Sequence, residues 1–456
     1  MADSLIKYDE YGKPKRAKYR IVALGNLESH KWSKLDCYAP VMNLLELRLL
    51  VALAVKNKRV LKSGDVKQAF VQATLPPEEQ YIVKPPPGCP YTPKGTYWKL
   101  LRTLYGLRRS PRHWFDRATT ILKNIGLTPC ANSPCLFHGT LIPGKPKLYL
   151  GIYVDDFIYF SKDPEVEKLF EQKLQNQTQT DFMGKVSHFL GIRFQWRETP
   201  DKVSVHMSQE AFADQLISNS GLDNDSASSK PTPFRSGLPV DSIPHIKLPP
   251  EQSSNLKQQL QSYVGSLNWF AQATCPDLAV VTNLLAQQQN KPSPGHIAAA
   301  KHVVKYLKGT KSLGISFHSD SPLNLQSFIH FPINTAKVYA LTDTNWGSQN
   351  QSIPNPQEPP QEVDLHVTRS ISGHLILLHG PLHWSAKKQS ITARSTAESE
   401  IYATDTCVKQ LLHLSHIIND LDLSKQLLST TTPIFNDNKA CVQWSKNKTN
   451  RNIRHI

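Results

Sequence analysis

No stretch of this 456-residue chain stays apolar for long. The best candidate, around Leu44 to Val55, contains Glu46 and Arg48, whereas a membrane-crossing helix needs about 20 predominantly apolar residues. No membrane partner is therefore expected. The start, MADSLIKYDEYGKPKRAKYR, is polar throughout, so no secretory signal is expected. Cysteine is sparse: seven residues, an odd number, with no C-x-x-C pair. That pattern argues against a disulfide framework or a zinc finger and fits a reducing, intracellular compartment. The 17 histidines are scattered and lack H-x-E spacing, so nothing points to a histidine-bound metal.

Positive charge is what the chain has in excess. Lys and Arg number 53 against 37 Asp and Glu, a formal net charge of +16. Such an excess implies a polyanionic partner, with nucleic acid ahead of an anionic membrane because no basic amphipathic helix stands out. A hydrophobic fraction of 39% with 20% charged residues excludes a mainly disordered chain. The length suggests about three domains.

The first 200 residues mix short apolar runs with helical patterns, as an α+β domain does. The leucines from Leu44 to Leu53 predict a helix ending near Lys56–Lys58, and residues 60–66 predict a strand that reaches Asp65. LYLGIYVDDFIYF, residues 148–160, predicts a hairpin whose tip carries Asp155 and Asp156. Residues 223–254, rich in Ser, Pro and Asp, predict a linker or a long ordered loop that contains a domain boundary. Helical patterns follow at 256–273, 277–289 and 295–307, then a weakly structured stretch at 319–335. The last segment predicts strands at 338–342, 373–379, 382–385 and 433–436, around a polar insertion at 347–364. It also predicts a long helix from Thr396 and a final helix from Asn438.

Adjacent carboxylates between apolar strands repel each other, and burial on both sides leaves less water to offset the cost. A divalent cation answers the problem, because Mg²⁺ takes oxygen ligands from one or two carboxylates plus substrate phosphates. Asp65 offers a third carboxylate, and three acids can hold the metal pair that drives in-line attack on a phosphate. The plainer alternative for Asp65 is a cap for a helix starting at Val66.

These residues also fit a known pattern. Tyr153-Val154-Asp155-Asp156 resembles the YVDD box of reverse transcriptases, and DVKQAF, from Asp65 to Phe70, resembles the block that carries their first palm aspartate. LYGLRRSPRHWF, YRIVALG, YAPV, FLGI, YVGSLNWFAQATCPDLA and KHVVKYLKGT are similar to further blocks of copia-type (Pseudoviridae) LTR retrotransposon Pol polyproteins. They stand in family order from about Tyr19 onward.

The resemblance implies an α+β, right-hand polymerase: fingers and palm over residues 1–235, and a linker with helical thumb and connection over 236–336. An RNase H-like α/β domain over 337–456 follows. It implies that Asp65, Asp155 and Asp156 bind two Mg²⁺ ions, with Mn²⁺ as an alternative, and that Tyr153 lies beside the primer end. Phe70 corresponds to the aromatic that excludes a ribose 2′-OH. Lys18 and Arg20 match basic fingers residues that contact the triphosphate, while Arg108, Arg109 and Arg112, with Trp114, resemble a template- and nucleotide-binding segment. The implied partners are an RNA template, a DNA primer, the RNA–DNA hybrid and dNTPs. The implied setting is the cytoplasm, in a virus-like particle, with possible access to the nucleus.

LTDTNWG, STAESEIYA and FNDNKA resemble three acidic blocks of a retrotransposon RNase H and offer Asp343, Glu400 and Asp437 as ligands of a second Mg²⁺ pair. Ser395-x-x-Glu398 reads as a capping box, which gives Glu398 a structural task. Glu400 lies about 200° round the helix from it, so the two cannot face one metal pair. Glu400 is the expected ligand. The family pattern continues past Ile456 with another acidic segment, so the RNase H-like domain is expected to be truncated and hybrid cleavage weak or absent. The rival functional reading is an inactive retrotransposon remnant that only binds nucleic acid.

Overall fold

The computed structural model describes residues 2–8, 14–89, 92–93, 95–223, 228–234, 240, 243–244, 246, 248–320, 337–345 and 369–446, with the backbone alone at 2–8, 15, 16 and 18. The insertion expected at 347–364, most of the 319–335 stretch, parts of the 223–254 linker and the final ten residues lie outside this description. The chain divides into two compact units, Met1–Glu46 with Leu61–Lys185, and Leu47–Val60 with Val186–Ile456. Each combines sheets with helices, an α+β architecture.

In the first unit, a six-stranded antiparallel sheet runs Thr180–Lys185, Lys62–Val66, Asp156–Ser161, Leu148–Tyr153, Leu136–Gly139, Thr128–Pro129. Its central strands are apolar on both faces, so Leu148, Leu150, Ile158, Tyr159 and Phe160 are fully buried. Helices Ser110–Ile125 and Pro164–Gln175 pack on each other and on this sheet. The first buries Trp114, Ala118, Ile121, Leu122 and Ile125, a stripe at helical spacing, and ends on Gly126 at φ +109°. Ahead of the sheet, Ala2–Tyr8 and Pro14–Ile21 form an antiparallel hairpin.

In the second unit, the strands His188–Phe189, Ile192–Glu198, Val203–Ser208 and Ile315–His318 form one antiparallel sheet. Helices Glu210–Asn219, Pro250–Ala273, Ala279–Gln287 and Pro294–Gly309 share an apolar core of Leu260, Leu267, Leu278, Leu285, Val303 and neighbouring residues. A second sheet runs Pro381–Lys388, Ile371–Leu377, Tyr339–Asn345, Ile434–Phe435, antiparallel except for the last pair, and helix Thr396–Asp420 packs on it.

Residues 47–55 of the helix Leu44–Lys56 are buried on every side, as an all-round apolar helix must be. Its charges are not surface interruptions. Glu46 caps the helix start through reciprocal bonds with Asn43 at 2.9–3.0 Å. Arg48 donates to the carbonyls of Leu382, Gln272 and Ala273, and its guanidinium stacks on the Trp384 ring at 3.9 Å. Burial pulls the Arg48 pKa down to about 9, so it still carries its charge at neutral pH. No described helix is long and apolar enough to cross a membrane.

Candidate active sites

The first candidate site is a matter of strand register. Asp65 lies directly opposite Asp156 on one side and Asp181 on the other, and Asp156 lies opposite Tyr153. Directly paired residues point to the same face. Asp181, Asp65, Asp156 and Tyr153 therefore form one row across four strands. The hairpin turn is Val154-Asp155, one residue earlier than the sequence pattern suggested, which leaves Asp156 inside its strand, facing Asp65. Asp65 is not a helix cap: it is a strand residue, and the next helical turn begins at Ala69 behind Gln68.

Asp65, Asp155 and Asp156 are all half-buried. They share one end of the sheet, but they are not among the sets of three whose ligand atoms all lie within 4.8 Å of one another. Like charges placed directly opposite on neighbouring strands are destabilising, so the row of hard carboxylate oxygens suits a cation. Asp181 is held by Lys67, Nζ to Oδ1 at 2.7 Å.

Two aromatic rings and one basic residue stand beside the acids. The Phe70 ring meets Tyr105 edge-on at 5.1 Å, and the Arg20 guanidinium lies 5.3 Å from the Tyr105 ring centre. Burial raises the Tyr105 hydroxyl pKa, Asp155 and Asp65 add to the rise, and Arg20 opposes it. Lys18 lies on the same strand as Arg20, opposite Leu5, and its side chain is outside the described residues.

The arginines of the LYGLRRSPRHWF block have intramolecular partners. Arg108 donates from Nε to the Gly25 carbonyl at 2.7 Å, and its backbone N–H reaches Glu28 at 2.9 Å. Arg109 pairs with buried Glu79 and stacks on Trp32 at 4.5 Å. Arg112 pairs with Asp116 at 2.8 Å. Trp114 is 3% exposed, so it offers no stacking surface to a base; its indole donates to the Val154 carbonyl at 2.6 Å. Gly25 and Gly106 explain each other. Ala23 N–H bonds to the Tyr105 carbonyl at 2.7 Å, and a Cβ on Gly106, at φ +91°, would lie 2.1 Å from the Ala23 carbonyl.

The second candidate site lies in the second unit. Asp343 on strand Tyr339–Asn345, Glu400 on helix Thr396–Asp420, and Asp437 just past Ile434–Phe435 bring their carboxylate oxygens within 4.8 Å of one another. Asp343 and Asp437 are exposed and Glu400 is buried. Burial raises the Glu400 pKa, the two aspartates add to the rise, and an Asn436 hydrogen bond at 2.8 Å opposes it. Asn436 also donates to the Thr342 hydroxyl at 3.1 Å. Glu398 stands apart: its N–H donates to Ser395 Oγ at 3.1 Å, and its carboxylate accepts from the Arg394 N–H at 2.6 Å. Three hard carboxylate donors brought this close together fit a divalent cation.

Residues 5–234 match the family model described as reverse transcriptase (RNA-dependent DNA polymerase). The chain belongs to the reverse transcriptase family. It is 25% identical over 452 residues to the retrovirus-related Pol polyprotein from transposon RE1 of Arabidopsis thaliana, covering 99% of this chain and 28% of that one. The corresponding polyprotein from transposon TNT 1-94 of Nicotiana tabacum is 24% identical over 445 residues, covering 97% and 30%. The chain thus spans under a third of the length of these relatives. Among solved structures, a foamy viral protease-reverse transcriptase in complex with double-stranded DNA aligns at a TM-score of 0.47 and 12% identity, covering 97% of this chain and 59% of that one.

Within the reverse transcriptase match, sequence reasoning missed Asp181, Tyr105 and the structural task of Trp114. Tyr105 and Trp114 belong to a quoted block, yet only packing separates a buried ring from a stacking one. Asp181 carried no signal, because its place in the row depends on a strand pairing more than 100 residues away in sequence. Beyond the match, Asn436 sits beside a recognised aspartate, but nothing in its spacing announced a bond to Glu400.

Proposed function

We propose that this chain is an RNA-directed DNA polymerase segment of a retrotransposon Pol polyprotein, carrying a second, ribonuclease H-type metal site. The observation that carries the reading is the cross-strand row that sets Asp65 against Asp156, with Asp155 at the adjoining turn, inside the reverse transcriptase match. Asp65, Asp155 and Asp156 would hold two Mg²⁺ ions, or Mn²⁺ in their place. Bound there, the ions supply charge neutralisation for attack of a primer 3′-OH on the α-phosphorus of a dNTP, with release of pyrophosphate.

The protein's own share is positioning. Tyr153, at the end of the acidic row, stands where a primer end would lie. Phe70 sets a flat ring against the nucleotide sugar, and its contact with Tyr105 fixes the ring's attitude. Lys18 and Arg20 would meet the triphosphate. Arg108, Arg109 and Arg112 act mainly by fixing the block that carries them, since each has an acidic or carbonyl partner within the unit. Asp343, Glu400 and Asp437 would hold the second metal pair, toward the RNA strand of an RNA–DNA hybrid. The relatives being transposon Pol polyproteins supports an intracellular particle as the setting.

Primer extension on an RNA template tests the reading, with Asp155→Asn and Asp65→Asn as controls. Both substitutions should abolish extension while hybrid binding, followed by gel shift, stays near the wild-type level. Near-native turnover in either variant overturns the assignment. A wild-type protein that binds hybrid and never extends it supports the remnant reading instead.

A further inference from the structure

The turn between the two halves of the YVDD hairpin holds an unusual backbone. Val154 sits at φ +59°, a strained left-handed conformation that β-branched residues rarely adopt. Something must hold it there. The Val154 carbonyl accepts a hydrogen bond from Trp114 Nε1 at 2.6 Å, and the next carbonyl, that of Asp155, accepts from Val66 N–H at 2.9 Å. Both donors lie outside the hairpin. One belongs to the buried face of helix Ser110–Ile125, the other to the residue directly after Asp65.

Building on the polymerase reading, we propose that Trp114 is a positioning residue: its indole N–H locks the strained Val154-Asp155 turn and so fixes where the Asp155 and Asp156 carboxylates point relative to Asp65. Flipping the Val154–Asp155 peptide would strand a buried indole donor, since Trp114 is 3% exposed. Solvent could offer at most one or two molecules in exchange. The cavity behind the turn, lined by Val66, Trp114, Ala118, Val154, Asp155 and Asp156, measures about 30 Å³, on the scale of one or two waters. The strain is thus sustained by a rigid helix, which leaves the acids little freedom to relax away from a bound cation.

The test uses the full chain in a Glu400→Gln background, so that the second acidic cluster does not contribute to the signal. Mn²⁺ binding to the protein–hybrid complex is followed by electron paramagnetic resonance, and primer extension gives kcat and the dNTP KM. Trp114→Phe keeps a buried ring and removes the donor. Expected is a loss of about 10–100-fold in Mn²⁺ affinity or in kcat, as for other residues that orient metal ligands, with hybrid affinity unchanged. A variant that melts earlier but keeps wild-type Mn²⁺ affinity and kcat overturns the proposal and leaves Trp114 a packing residue. Should Trp114→Phe fail to fold, benzothienylalanine at position 114, which has the shape of tryptophan without the N–H, is measured by the same two readouts. A wild-type protein that binds Mn²⁺ without extending primers sinks the polymerase reading instead, and the comparison of metal affinities still decides the role of Trp114.

Discussion

Replacing Glu400 by Gln should stabilise the metal-free protein and remove the second site's share of its response to Mg²⁺. The carboxylate of Glu400 shares a space 4.8 Å across with those of Asp343 and Asp437. Two like charges that far apart repel by about 1 kcal/mol in a water-like dielectric and by more in a drier one. Asp343 and Asp437 are exposed, which favours the lower figure, so removing the Glu400 charge relieves about 1–2 kcal/mol in all. Gln keeps an oxygen to accept the Asn436 bond, so little is lost in exchange. The melting temperature without metal should rise by about 2–3 °C.

Because the folded-state pKa of Glu400 is raised above the ordinary 4.5, the native protein binds more protons than the unfolded one across that window. Wild-type stability therefore falls as pH rises from the ordinary value through the raised one, and the variant lacks this slope. The advantage of Glu400→Gln should be full at neutral pH and vanish as pH drops below 4.5. With Mg²⁺ at about 100 times the dissociation constant of this site, binding there should add about 2.7 kcal/mol to the wild type and far less to the variant, so their order reverses. Thermal melts at several pH values, with and without Mg²⁺, make the comparison. A metal-free variant less stable than wild type at neutral pH, or equal Mg²⁺ responses, would refute the reasoning.

Three further outcomes are expected. Phe70→Ala should let ribonucleotides into the product more readily without improving dNTP use; unchanged discrimination in single-nucleotide incorporation would return Phe70 to a packing role. Binding to an RNA–DNA hybrid should weaken steeply with salt, log K falling linearly with log[salt] at a slope of about −0.7 to −0.9 per phosphate neutralised; a flat response would contradict an electrostatic interface built on the net charge of +16. Gly106→Ala should cost more than about 1 kcal/mol in denaturant unfolding, because it combines φ +91° with a 2.1 Å approach to the Ala23 carbonyl; a neutral result would mean that the two strands of chain separate without loss.

Much of this was legible in the sequence because the signals were local. The leucine-rich pattern locates helix Leu44–Lys56 to within a residue or two, and the two apolar runs flanking Asp155-Asp156 locate the hairpin. Glu400 separates from Glu398 by helical angle alone, and the two side chains lie in different environments. What was not legible depends on partners distant in sequence. Glu79 carries no signal in the sequence, yet it is buried and takes both Arg109 and His113. Arg48 reads as an interruption of an apolar run, yet its acceptors lie more than 200 residues away. Segments that meet late in the chain write no periodicity into either one.

The two acidic sites solve the same electrostatic problem in different ways. In the second unit, a helix and two strand ends converge, and Asn436 bonds the buried carboxylate directly, so three carboxylates already stand within one ion's reach. In the first unit, register does the work: neighbouring strands set Asp65 and Asp156 at a fixed pairing, and the turn sets Asp155. Side chains directly opposite on a sheet start about 4.5–5.5 Å apart at Cβ, so their oxygens must be drawn together by what they bind. A substrate that brings its own phosphate oxygens suits the looser arrangement, because it completes the coordination that the protein leaves open. On the proposed reading, a phosphodiester within a hybrid would bring fewer free oxygens to the second site, where the protein supplies a closer set. On the same reading, the difference in carboxylate spacing would match a triphosphate in one site and a backbone phosphate in the other.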